Sequence, residues 1–146
     1  MTTTPRPLPS DAIARLRSIA EVDDVLRGWG HPDLADRLAY FASDEDLDNG
    51  DVPLTLESAR GFVAFFGAVE TEGKIDLTCS QEGWLCVGLR FEDKRNAALW
   101  FVDSDKVTFT ATDRDGKFVN IRGGRKTTTS KTITRKLAAE GLLKCR

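Results

Sequence analysis

KIDLTCSQEGWLCVGLRFEDKRNAALWFVDSDKVTFTAT, residues 74–112, decides the fold class. Apolar residues recur there with a period of two: Ile75, Leu77 and Cys79, then Leu85, Val87, Leu89 and Phe91, then Val107, Phe109 and Ala111 against threonines. The run NAALWFVD between them is more continuously apolar. Alternation of this kind marks strands with one buried face. The separators QEG, EDKR and DSD are short and polar, and connections that short join antiparallel neighbours, so the stretch reads as a meander. DRDG then turns the chain into a fifth short strand, KFVNI at 117–121.

Upstream the period is helical. Ser10 suits the cap of DAIARLRSIA, whose Ile13, Leu16 and Ala20 share a face, and EVDDVLRGWG extends it until Gly28 and Gly30 stop it. Pro32 opens PDLADRLAYFA, with Leu34, Leu38 and Phe41 on one side. Thr55 caps LESARGFVAFFGAVE, whose broad apolar stripe makes it the central core helix. Near the end, Ser130 suits the cap of a short helix over about 131–140 stopped by Gly141, although TTTSKTIT also suits an edge strand. The expected fold is α+β, with about three N-terminal helices on one face of a four- to five-stranded antiparallel meander and a short basic C-terminal helix. A flexible leader over 1–9, a single domain over 10–121 and a basic segment over 122–146 complete the expected organisation. The outer sheet face carries Trp84, Cys86 and Arg90 from one strand and threonines from another. It is the less apolar face, open to water, the C-terminal segment or a partner.

With 146 residues, 40% hydrophobic and 30% charged, the chain is long and apolar enough for one real core. Its longest apolar run, GFVAFFGAV, falls well short of the ~20 residues that cross a bilayer, so no membrane role is expected. MTTTPRPLPS has no signal-peptide pattern, and three cysteines without metal or disulfide spacing fit reduced thiols; a cytoplasmic location is expected.

Charge is unevenly spread. Residues 117–146 hold nine Lys or Arg and one acid, a net of +8, whereas residues 1–115 hold twelve against twenty-two, a net of −10. The basic end concentrates Arg122, Arg125, Lys126, Lys131, Arg135 and Lys136. It lacks an aromatic for base stacking and belongs to a chain of pI about 5.5, so self-contact or protein contact ranks before phosphate contact.

No motif for a cofactor or metal is complete. SDEDLDNGD, with Asp44, Glu45, Asp46 and Asp48, has Asn49 where a calcium loop beginning at Asp44 needs glycine, and it reads as an acidic solvated loop. GWGHPD lacks the third glycine and the preceding strand of a dinucleotide site. His31, the sole histidine, is expected beside Trp29 or at the next helix start. The sequence therefore points to a non-catalytic binding or inhibitor protein without cofactor. It is of the kind that small bacterial accessory proteins such as immunity, antitoxin and anti-defence proteins represent, with no motif behind that likeness. Its expected partner is a protein, met through the acidic loop, the outer sheet face with Trp84 and Arg90, and the basic end. Nucleic-acid binding through 122–146, a small enzyme centred on His31 or a cysteine, and a homodimer through a sheet edge are the competing readings.

Overall fold

The computed structural model describes residues 4–43, 50–112 and 126–146. Four helices precede the sheet: α1 (Ser10–Ala14), α2 (Ile19–Gly28), α3 (Pro32–Ala42) and α4 (Leu56–Ala68). The first two are separate, where the sequence suggested near-continuity. Ser18 leaves the helical region and accepts a hydrogen bond from the Glu21 amide, so it, and not Ser10, provides a side-chain cap. Trp29 follows α2, and Gly30 takes a positive φ of 85°. The His31 and Gly30 amides then return to the Leu26 and Arg27 carbonyls, a Schellman closure that delivers His31 to the start of α3. Thr55 caps α4 as expected, accepting from the Ser58 amide at 3.2 Å.

The sheet is the expected meander. Strands β2 (Lys74–Cys79), β3 (Leu85–Arg90), β4 (Asn96–Phe101), β5 (Lys106–Thr112) and β6 (Lys126–Thr129) lie side by side in that order, all antiparallel. The register aligns Val87, Leu99 and Phe109 across the three central strands on the inner face. That face is buried against α4, where Phe62 stacks obliquely on Phe66 and meets Phe101 edge-on at 6.1 Å. Full burial of such side chains contributes roughly 2–3 kcal/mol each, and this layer holds the fold together. Gly61 lets the α4 backbone pass the Asp103 carbonyl, with no room for a methyl group between them. Ser58, fully buried on α4, accepts from the Leu85 amide of β3 at 2.7 Å.

The end of the chain is built into this body. The fifth strand of the sheet is β6; residues 117–121, expected as a strand, lie outside the described residues. The two readings of TTTSKTIT both hold, in succession. Lys126–Thr129 pairs with β5, and α5 (Ser130–Ala139) starts at the next residue. Thr129 caps it in place of Ser130, accepting from the Thr132 amide at 3.2 Å. Ile133 and Leu137 of α5, with Leu142 and Leu143 beyond it, belong to the core. Gly141, at φ 74°, closes α5 with the Leu142 amide bonded to the Leu137 carbonyl. The chain then pairs β7 (Lys144–Cys145) antiparallel with β1 (Val69–Glu70), a two-stranded sheet that the sequence did not announce.

Candidate functional site

The helices α4 and α5 both pack on the inner face, so the outer face of the five-stranded sheet has no helix over it among the described residues. Its rows follow from register. Thr78, Cys86, Trp100, Thr108 and Thr127 align across all five strands, and Asp76, Gly88, Ala98 and Thr110 form the next row. Trp84 continues β3 at one end of this face, and Arg90 lies at the other, paired with Asp76 at 2.8 Å. From β3 to β5 these two rows hold no charge. Trp84, Cys86, Ala98, Trp100, Thr108 and Thr110 are half-buried, whereas Phe101, on the opposite side of β4, is wholly buried. The sheet's free edge at β2 is blunted: Arg37 of α3 donates to the Leu77 carbonyl at 3.0 Å, and Lys74 and Asp76 put charge on the strand.

The basic end sits elsewhere. Lys131 and Arg135 are exposed one turn apart on α5, and neither has an ion-pair partner among the described residues. Lys136 turns inward, its ammonium 5.9 Å from the centre of the Phe109 ring. Because α5 packs on the inner side, this ridge and the outer sheet face point to opposite sides of the sheet. The structure does not bring them onto one surface. Asp44, Glu45, Asp46, Asp48, Arg122 and Arg125 lie outside the described residues, and of Lys126 only the backbone pairing opposite Phe109 is described.

A third feature had no sequence signal. Between α4 and the sheet lies an apolar cavity of about 170 Å³, walled by Phe62, Phe65, Phe66 and Ile75 among others. Its polar boundary is His31, Thr71 and Arg146. Thr71 and Arg146 also border a wider groove of about 470 Å³ that reaches Phe91, Arg95 and Lys144. Thr71 is fully used, donating to the Leu142 carbonyl at 2.9 Å and accepting from the Gly73 amide at 3.0 Å. Arg146 hydrogen-bonds its backbone N–H to the Ala68 carbonyl and reaches Glu70 at 3.0 Å. Arg95 ties the groove to the end of α5, donating to the Glu140 carbonyl at 2.7 Å.

His31 packs edge-on against Phe66, 4.9 Å between ring centres, rather than simply beside Trp29. Among the described residues no cysteine or carboxylate side chain shares its cavity wall. Cys79 and Cys86 are half-buried and, with Cys79 paired to Leu85 and Cys86 to Thr78, face opposite sides of the sheet; Cys145 is exposed. Burial, with Asp51 nearby, pushes the Cys79 thiol above its ordinary range. Among the described residues no three His, Cys, Asp or Glu side chains converge as a metal site, and no helix is long and apolar enough to cross a membrane. Set against family models, curated proteins and solved structures, the chain matches none.

Proposed function

We propose that this is a non-catalytic binding protein that docks a protein partner on the outer face of its sheet. One observation carries the reading: a five-stranded sheet whose outer side presents Trp84 and Trp100 beside small and hydroxylated residues, with charge confined to its margins. Five strands span about 19 Å, and three residue pairs along them give a flat patch of roughly half the ~800 Å² that a standard interface covers on each partner. The two tryptophans supply the large, rigid anchors that dominate interface energetics, and Arg90 at the rim sets orientation. The opposite charges of the body and the end would raise encounter rates with a polar partner.

The basic ridge supports a second reading, phosphate or acidic-protein contact through Lys131 and Arg135. Both are tested by one comparison: native-lysate capture with the unaltered chain, with Ala98→Arg, and with Lys131→Glu/Arg135→Glu, all shown to unfold at the same temperature. Docking on the sheet predicts that one captured protein is lost with Ala98→Arg and kept with the double charge reversal. Capture that survives Ala98→Arg removes the proposal. Nucleic acid recovered in a salt-sensitive way and lost with the charge reversal establishes the second reading instead.

A further inference from the structure

The cavity behind His31 has the size and lining of a ligand site, and it is independent of the sheet face. Interiors ordinarily close any void larger than a water molecule. An opening of about 170 Å³ between Phe62, Phe65, Phe66, Ile75 and the inner strands is instead the size of one six-membered ring. Dry apolar cavities of ~150 Å³ bind benzene. Its polar lining is limited to His31, Thr71 and Arg146. The Arg146 side chain is 18% exposed and commits one nitrogen, Nη1, to Glu70, a residue whose own side chain is 61% exposed. Its remaining nitrogens have no partner among the described residues, and neither ring nitrogen of His31 has one. Ligand pockets are built in this way, with apolar walls and a few convergent polar groups that fix orientation.

We propose that this cavity binds a small monocarboxylic acid bearing a single aromatic ring or a branched chain of that size. The ring fills the space between Phe62, Phe66 and Ile75. The carboxylate meets the guanidinium of Arg146, the one Lys or Arg on the cavity wall among the described residues, through the donors that Glu70 leaves free. Entry is from the groove beyond Thr71, whose border mixes Lys144 and Arg95 with Glu70 and Glu72, so the anion is held by Arg146 itself and not by the charge of the approach. A neutral ligand of the same shape gains the apolar contacts alone. The His31 imidazole, edge-on to Phe66 on the same cavity wall, offers a hydrogen bond to the second carboxylate oxygen.

The test is a titration of the full chain with phenylacetate and with 2-phenylethanol, followed by amide chemical shifts and calorimetry. Phenylacetate is expected to saturate with a Kd on the order of 0.1 mM, moving the amides of Phe62, Phe66, Thr71 and Ile75, and 2-phenylethanol to bind at least tenfold more weakly. Arg146→Met should weaken phenylacetate about tenfold and leave the alcohol unchanged, which separates the carboxylate contact from the cavity itself. Ile75→Phe, which occupies the space, should abolish both. Equal affinity for the two ligands, equal losses in Arg146→Met, shifts located away from α4 and β2, or no saturable shift with phenylacetate each overturn the proposal. Thermal unfolding of both variants beside the parent chain distinguishes lost binding from lost folding.

Discussion

Asp23 is the residue that its sequence context describes least well. In EVDDVLRG it looks like one more solvated helix acid, yet it is only 8% exposed and its Oδ1 has no hydrogen-bond partner among the described residues. Burial raises its pKa to about 6, and neighbouring Asp24 and Asp36 oppose the relief that Arg27 offers. In the unfolded chain Asp23 ionises near 3.8, so between pH 4 and 6 unfolding releases a proton and stability falls as pH rises. Above pH 6 the ionised carboxylate costs the folded state up to about 2–3 kcal/mol. Asp23→Asn should therefore raise the melting temperature by several degrees at pH 7.5, and the two proteins should converge near pH 4. A gap between them that does not change with pH would contradict this account. His31 shows the opposite case at this scale. The sequence placed it correctly at a helix start, because glycine closure and Pro32 are local signals, but its contact with Phe66 depends on residues thirty-five positions away. Local chemistry is legible in sequence; the partner that a side chain meets across the core is not.

At the scale of elements, the alternation in 74–112 was enough to fix strand order and inner face, since short polar turns leave an antiparallel meander little freedom. The outer residues Trp84, Cys86 and Arg90 followed from the same period and stand where it puts them. The small β1–β7 sheet did not, because two-residue strands carry no periodicity and their pairing joins Val69 to Cys145 across about half the chain. The groove beside it was invisible for the same reason. One joint between elements is a single hydrogen bond: the Ser58 hydroxyl of α4 accepts from the Leu85 amide at the start of β3. Ser58→Ala leaves that amide buried without a partner and should cost about 1–3 kcal/mol. A lower denaturant midpoint, with faster hydrogen exchange at Leu85 than at Leu89, is the expected signature. An unchanged exchange rate at Leu85 would show that another acceptor takes over.

For the whole molecule, composition separated an acidic body from a basic end, but covalent order concealed how the two fit together. Ile133, Leu137, Leu142 and Leu143 are each at most 4% exposed, so the end is part of the core as well as the carrier of charge. Removing a buried aliphatic side chain costs ~2–5 kcal/mol, and a typical domain has only ~5–15 kcal/mol in total. Truncation after residue 121 should consequently abolish cooperative unfolding, while Lys131→Glu/Arg135→Glu should leave the melting temperature within a degree or two, since both side chains are exposed. A truncated chain with a sharp thermal transition would show that α5 is dispensable. Charge questions about this protein are therefore answered by point reversal and not by deletion.

The absence of any spacer between β6 and α5 has a mechanical consequence. Thr129 is at once the last residue paired in the sheet and the cap of the helix, so the rotational phase of α5 is set by the strand register. One residue inserted between Thr129 and Ser130 would turn the helix by about 100°, carrying Ile133 and Leu137 towards solvent and swinging the Lys131 and Arg135 ridge to a new heading. The sheet thus acts as the index against which the cationic ridge is aimed, and lengthening that junction should cost both folding and aim together.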